Sequence, residues 1–298
     1  MFRTKLLFTI IICLVTFSYI IPQENEDSTE TSHSWWKKHH KFKFDLFSNE
    51  FRGHPSISVN YGLSKMSLKD FNESFAKPNM LEVKLGYTRQ KENSEEENII
   101  DYKYRYLFLS NFSTDLSNSA SNGTDLKTDM WKFGFGRSSG YGYKLGAAAI
   151  IPYHAYSFEW SRLRMKDTPL SRVDQSMTDL FNDSFRFGTS TEGGIKIRII
   201  HSIMLDAGYE RSIIFPRHIF WKWAGSVVIE AIGQSAIDKF VDEVMDSSPY
   251  AAPVVNFVLK NALSYGIYEL RHDKMNWPFA TAAPLAYDQF KFGLTFVF

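Results

Sequence analysis

The chain has one cysteine among its 298 residues, and almost no net charge. Cys13 sits inside an apolar run, Leu6 to Ile21, that follows the short basic segment Met1-Phe2-Arg3-Thr4-Lys5. This arrangement reads as a secretory signal peptide over residues 1–22. Ile10, Ile11 and Ile12 precede the cysteine without the small residues a lipoprotein site needs. Removal of the segment leaves no thiol, which excludes disulfides, cysteine metal sites and a cysteine nucleophile. An A-x-A-like cleavage site is also lacking, so cleavage near Pro22 or Gln23 stands beside an uncleaved inner-membrane anchor. Charge of one sign is absent too: 34 basic side chains face 33 acidic ones, for a net +1. Bulk electrostatics therefore points to no nucleic-acid partner.

Aromatics are abundant, at 16% with 26 Phe and 15 Tyr. Mean hydropathy is nonetheless −0.25. That combination is expected where alternate residues face lipid and the rest face a polar lumen. Period-2 segments recur along the chain. Ile57, Val59, Tyr61 and Leu63 alternate with small polar residues, as do Leu81, Val83, Leu85 and Tyr87 with Glu82 and Lys84. Tyr102, Tyr104, Tyr106 and Phe108 alternate with Asp101, Lys103 and Arg105. Further segments are centred on Phe133, Tyr143, Phe158, Ile197 and Leu205. Such a series predicts an antiparallel meander with one wet face. With a weaker first strand at 42–47, the fold class is an all-β transmembrane antiparallel barrel of about ten strands, eight or twelve staying open. Residues 23–41 form a flexible linker, acidic and Ser/Thr-rich and then Trp35-Trp36-Lys37-Lys38-His39-His40-Lys41. Residues 42–298 form the barrel. Ile200-His201-Ser202, and also Ile151-Pro152-Tyr153, read as tight links.

One stretch has helical period instead. Residues 218–270 predict an inserted α-helical hairpin, with an apolar stripe from Phe220 to Val244, a break at Asp246-Ser247-Ser248-Pro249, and a second helix opened by Pro253. The stripe is expected to be buried against Val254, Val258 and Leu263, with the hairpin capping or plugging one barrel mouth. A surface for an envelope protein partner is the other reading of that stripe. A shorter helix is expected over 171–182.

The inferred lumen face carries both signs: Glu82, Lys84, Asp101, Lys103, Arg105, Lys132, Lys144, Glu159, Lys196, Arg198, Asp206, Glu210 and Lys291. Interleaved acids and bases predict a cross-linked interior, because buried charges must pair or bear a heavy desolvation cost. A polar conduit is the functional alternative. Arg162 and Arg164 share the outward face of Tyr156, Phe158 and Trp160, where mid-bilayer arginine is costly. They are expected at a strand end, against lipid headgroups, with lipopolysaccharide phosphates as partners if that end is external. Glycine beside aromatic residues, as in Gly134-Phe135-Gly136 and Gly140-Tyr141-Gly142-Tyr143, is read as room for a ring on the neighbouring strand. His154 is the best candidate for a functional histidine, but no catalytic Ser/His pattern is matched. His33, His39, His40 and Glu95-Glu96-Glu97 are read as solvated tracts. No metal and no cofactor is expected.

The segment Gln289 to Phe298 resembles the C-terminal strand of bacterial outer-membrane β-barrels. The resemblance implies that Phe290, Phe292, Phe296 and Phe298 form the signal read by the barrel-assembly machinery, and that the protein resides in the outer membrane of a Gram-negative bacterium. Phe133 to Tyr143, with Pro152-Tyr153-His154 and Trp160-Ser161-Arg162-Leu163, is similar to uncharacterised Bacteroidetes-type barrels, which implies no activity. The expected role is structural or interactive, with a filled lumen; a narrow channel and a lipid-modifying enzyme are the alternatives.

Overall fold

The computed structural model describes residues 53–93, 96–116, 126–166 and 170–298. The signal peptide, the linker, the strand expected at 42–47 and the histidines of 33–40 lie outside the described residues.

Eight antiparallel strands pair in sequence order and close into a barrel. They are β1 His54–Leu68, β2 Asn79–Glu92, β3 Ile99–Ser113, β4 Thr128–Leu145, β5 Ala148–Met165, β6 Phe185–Ile200, β7 Ile203–Ile214 and β8 Leu285–Val297. The expected count of about ten is thus corrected to eight. The segments around Phe133 and Tyr143, which periodicity separates, are halves of β4, and Pro152 lies within β5 rather than in a link. The chain reverses instead at Gly146, whose φ of +66° is the left-handed turn conformation that glycine adopts freely. The link at His201-Ser202 is as expected.

Ladder partners traced from Ser64 run through Gln289, Glu210, Glu192, Ala155, Ser138, Tyr104 and Thr88 to His54, ten residues from the start. That stagger tilts the strands by roughly 40° and leaves an interior just wide enough for side chains. One rim, called near, holds His54, Phe298 and the links 93–98, 146–147 and 201–202. The far rim holds the longer links 69–78, 114–127, 166–184 and 215–284.

The interior is layered. Met66, Met80, Phe112, Met130, Leu163, Ile214 and Leu285 fill the far end, joined by Phe181 from the β5–β6 link. Ile100, Tyr102, Ala149, Ile151 and Met204 fill the near end. Charged residues occupy the middle. The tyrosine face of β3 is the inner one: Tyr102, Tyr104, Tyr106 and Phe108 are buried, and Asp101, Lys103 and Arg105 point outward. This reverses the lumen assignment of those three charges. The reason lies in β4, whose inner face offers glycine opposite each of three rings: Tyr102 pairs with Gly140, Tyr106 with Gly136 and Phe108 with Gly134. A Cβ on Gly136 would stand 2.7 Å from the Tyr106 hydroxyl, so the ring occupies the space the side chain gives up. The glycine reading from sequence holds; the choice of face does not.

Among the described residues, three α-helices complete the fold. α1 (Arg172–Thr178) is capped by Ser171, whose Oγ accepts from the Asp174 amide at 3.1 Å. α2 (Phe220–Ser247) and α3 (Ala252–Asp273) form the hairpin between β7 and β8. At 1.5 Å per residue they are about 42 and 33 Å long. The hairpin neither caps nor plugs a mouth. α3 packs on the outer wall over β4, β5, β6 and β7. At the hairpin tip the Tyr143 hydroxyl donates to the Tyr250 carbonyl at 2.6 Å, and the Tyr250 hydroxyl donates to Glu96 at 3.0 Å, both at the near rim. The hairpin therefore runs the height of the wall. The filled interior leaves no room for a plug, and the wall beneath α3 offers partners to its polar side chains.

Candidate functional site

Two assemblies concentrate the polar chemistry: the network inside the barrel and the seat of the hairpin on its wall. In the network, Lys291 is the hub. Its Nζ lies 2.7 Å from Glu82, 3.0 Å from Glu192 and 2.7 Å from Glu210. Lys132 reaches Glu210 at 2.7 Å and Glu159 at 3.3 Å. Lys84 reaches Glu192 at 3.3 Å and Glu82 at 3.5 Å. Lys196 and Asp206 pair at 2.6 Å. Arg198 donates to Gln90 Oε1 at 2.7 Å, and Lys144 pairs with Glu92.

Around the hub, four glutamates face three lysines, leaving one negative charge in excess. Neutral donors offset it. Asn60 and Ser110 donate to Glu82 at 3.1 and 2.8 Å, Tyr287 to Glu159 at 2.9 Å, Gln289 and Ser212 to Glu210 at 2.9 and 3.2 Å, and Tyr153 to Glu192. Aromatic faces add to the cation side: Lys132 lies 5.1 Å from the ring centroids of both Phe108 and Tyr287. Lys132 and Glu159 are 0% exposed and Lys291 is 1% exposed. The apolar layers at both ends seal the network. Of the residues expected to line the lumen, Glu82, Lys84, Lys132, Glu159, Lys196, Arg198, Asp206 and Glu210 are brought together, with Lys291. Asp101, Lys103 and Arg105 are not. Sequence reading missed Glu192, whose signal was its phase: it lies on the same strand face as Lys196 and Arg198.

The hairpin is partly inverted in polarity. The face α3 buries carries Asn256, Lys260, Ser264 and Arg271, one helical turn or two apart, beside Ala252, Pro253, Ile267 and Tyr268. Its exposed face carries Val254 and Val258, each 52% exposed. In α2, Ser226, Glu230, Val241 and Met245 are buried while Val228, Ile232 and Phe240 are exposed. The expected burial of the Phe220–Val244 stripe is met only at its end, where Ile237, Val241 and Val244 pack with Ala252, Val255 and the wall, and not against Val254 and Val258. Inside the hairpin, Arg271 donates to Glu230 at 2.8 Å and to Ser226 at 2.9 Å, and Lys260 meets Asp238 at 2.5 Å.

The seat on the wall is equally specific. His154 points outward from β5, opposite Gly193 of β6. A Cβ on Gly193 would lie 2.4 Å from Asn261 Oδ1, so glycine admits α3 at close range. Asn261 Nδ2 donates to the Phe257 carbonyl at 2.8 Å, which turns Oδ1 toward His154 Nδ1 at 3.1 Å. Nδ1 therefore carries the proton and Nε2 accepts, facing Ser264 Oγ at 3.5 Å. Gln234 donates to the same Oγ at 3.0 Å, leaving the serine proton directed at the histidine. Farther along, the Tyr268 hydroxyl donates to Asp288 at 2.9 Å, and the Arg211 guanidinium lies 4.6 Å from the Tyr265 ring. The outward polar residues His154, Arg211 and Asp288 thus lie where α3 covers them. The uncovered wall, from β8 through β1 to β2, presents Phe290, Phe292, Val59, Tyr61, Leu81, Val83 and Leu85.

Arg162 and Arg164 lie at the far-rim end of β5, as expected of a strand end, and both bind Asp183, at 2.9 and 3.1 Å. The hydrogen bond from Arg164, and then the charge of Arg162, hold the Asp183 carboxyl below its usual range. Phe290, Phe292, Phe296 and Phe298 are exposed along the outer face of β8, which pairs with both β1 and β7. Glu96 serves the hairpin tip; Glu95 lies outside the described residues.

No protein family matches the chain, and no curated protein is significantly similar to it. Among solved structures it is similar to Neisserial surface protein A, with 12% identity over 82% of this chain and 97% of that one, at a TM-score of 0.39. It is also similar to Ail, the attachment invasion locus protein of Yersinia pestis, with 7% identity over 83% of this chain and 99% of that one, at a TM-score of 0.32. At these values the likeness transfers neither ligand nor activity.

Proposed function

We propose that the protein is an integral barrel of a Gram-negative outer membrane whose interior is closed and whose role is structural or interactive at the envelope. The observation that carries this reading is the polarity of the barrel and of two stretches of the hairpin: ion pairs are buried, and the outer wall and residues 223–237 and 252–268 expose aliphatic and aromatic side chains, while the exposed charges Asp238, Lys239, Asp242, Glu243 and Asp246 lie beyond those stretches. In water such a surface is a liability; in a bilayer, ionisable groups belong inside and apolar ones outside. Among the described residues no helix is long and apolar enough to cross a membrane alone. As part of the wall, however, the hairpin needs only an apolar outer face. Between Trp223 and Ile237 the sole charge is Glu230, which is buried against Arg271, and between Ala252 and Tyr268 it is Lys260, which pairs with the half-exposed Asp238. These stretches span about 22 and 25 Å, close to the apolar band of about 25 Å on barrels of this class. Short links at one rim and long ones at the other match the periplasmic and external pattern, which supports a reading with the far rim outside.

In this reading β8 is the strand recognised by the barrel-assembly machinery, and Arg162 and Arg164 meet lipid or lipopolysaccharide phosphates. The exposed helix face contacts lipid or an envelope protein. The Bacteroidetes-type likeness of the Phe133–Tyr143 segment belongs to the same reading. Carbonate and urea washing of membranes, with a heat-modifiable gel shift, tests insertion: complete extraction without a shift refutes it. Reproducible conductance steps in planar bilayers would refute the closed interior. One observation favours a hydrolytic alternative, the proton polarity of Ser264, His154 and Asn261. Against it, Ser264 is 3% exposed and covered by the hairpin. Labelling of Ser264 by a fluorophosphonate would favour that alternative.

A further inference from the structure

A cavity of about 440 Å³ opens on the outer wall near the far rim, where the β7–α2 link crosses β5 and β6. Trp160, Phe187, Phe215 and Trp223 give it aromatic walls, and Arg186, Arg217 and His218 also line it. No aspartate or glutamate is among the lining residues. The carboxylate of Asp183, two residues before the lining Phe185, is already held by Arg162 and Arg164. Arg217 is exposed, and none of the lining residues offers it a carboxylate. The cavity thus has walls suited to hydrocarbon and a positive charge at its edge without an acid to match.

We propose that this cavity binds a lipid whose acyl chain lies against the aromatic walls and whose oxyanion headgroup, a phosphate, sits at Arg217 with His218 beside it. Charge complementarity and shape favour such an amphiphile over a neutral lipid, which would leave Arg217 without a counter-charge. They also favour it over a free anion, which would leave the rings bare. The proposal rests on the membrane reading only for the source of the lipid. The cavity is distinct from the Arg162–Asp183–Arg164 cluster, whose cations are already paired.

The test uses the full-length protein in dodecyl maltoside, titrated with dibromostearoyl lysophosphatidic acid and read by quenching of tryptophan fluorescence. Dibromostearoyl glycerol is the neutral arm, and inorganic phosphate is the competitor. The expected result is saturable quenching by the phosphate lipid, with the neutral lipid and Arg217→Gln each weakened roughly tenfold, the scale of one charge-assisted contact. His218→Gln provides a second variant, and the heat-modifiable band checks that each has folded. Equal affinity for the two lipids, or unaltered binding in both variants, overturns the proposal. Displacement of the lipid by millimolar inorganic phosphate assigns the site to a free anion and overturns the lipid version. Binding by a protein that washes off membranes supports the site while refuting the membrane reading, so the two fail separately.

Discussion

Replacing Lys291 by methionine tests the interior network most directly. The side chain is similar in length, fully buried, and bridges Glu82, Glu192 and Glu210 at 2.7, 3.0 and 2.7 Å. Its loss raises the excess negative charge around the hub from one to two. Removing one partner of a buried ion pair costs about 3–5 kcal/mol, since the remaining charge is left desolvated and uncompensated. Lys84 and Lys132 retain contacts to the same carboxylates, which argues for a cost within that range rather than three times it. Urea titration of the protein refolded into lipid vesicles reads the effect. With a slope of about 1–3 kcal/mol per molar, the midpoint should fall by about 1–5 M. Adding Glu82→Gln restores the original charge excess, because Lys84 keeps Glu192 and Lys132 keeps Glu159 and Glu210. The double variant should recover about 1–3 kcal/mol, the usual range for coupled neighbours. A loss below about 1 kcal/mol for Lys291→Met would mean that water screens the network. That result would refute the sealed interior and favour the conduit.

Ile232→Lys places a cation on the exposed face of α2; it should cost about 2–4 kcal/mol in vesicles if that face meets the bilayer centre. A change within about 0.5 kcal/mol, the usual effect at a wet surface, would show that the face is in water. Asn261→Leu strips the acceptor from His154 Nδ1 and should destabilise hairpin docking by about 1–3 kcal/mol, whereas Ser264→Ala, losing a contact of 3.5 Å, should cost less than about 1 kcal/mol. Amide exchange in α3 measures both, and equal effects would refute the assigned proton direction. Hydrogen bonds from Ser171 and then Asn72 hold the Asp174 carboxyl below its usual range. A depressed carboxylate contributes above its unfolded value, near 4, and loses that contribution as pH falls through the lower folded value. The tie between the 69–78 and 166–184 links should therefore loosen in acid, seen as faster proteolysis of 69–78. In Asp174→Asn that acid-dependent component should be absent; an unchanged pH profile would refute it.

How much was legible in the sequence differs element by element. In β8 only one face is apolar, so Phe290, Phe292 and Phe296 fell outside and Lys291 inside, as alternation requires. In β3 alternation defines two faces but not their direction. Its rings and its charges each suit an interior or a rim, and only the glycines of β4 decide which face turns inward. The strand count failed for a related reason. The apolar alternation around Phe133 and around Tyr143 reads as two segments, yet both lie within one continuous strand, and Gly146 makes the turn. The hairpin's ends were legible in Asp246 to Pro249 and Pro253. Its burial was legible only in part: Ile237, Val241 and Val244 are packed, whereas Val228, Ile232 and Phe240 are exposed because Ser226 and Glu230 take the buried face to meet Arg271. The seat of Asn261 on His154 and Gly193 joins residues far apart in sequence, and no local pattern announces it.

The two polar assemblies constrain one another. A barrel of eight strands has space for side chains only, and here apolar layers above and below shut that space off from either rim. Whatever the protein contacts, it must therefore meet outside the barrel. The outer wall is divided: one part is a bare apolar belt, and the other carries His154, Arg211 and Asp288 beneath α3. Those polar positions would be costly in lipid without their cover, and the paired Glu230 and Lys260 would be costly without the wall behind them. Neither half is self-sufficient in a bilayer, so hairpin and barrel should insert as one body. The surfaces left for recognition are then the aliphatic face of α2 and α3 and the aromatic, basic far rim. Both lie on elements that the eight-stranded frame holds in place without depending on them for closure.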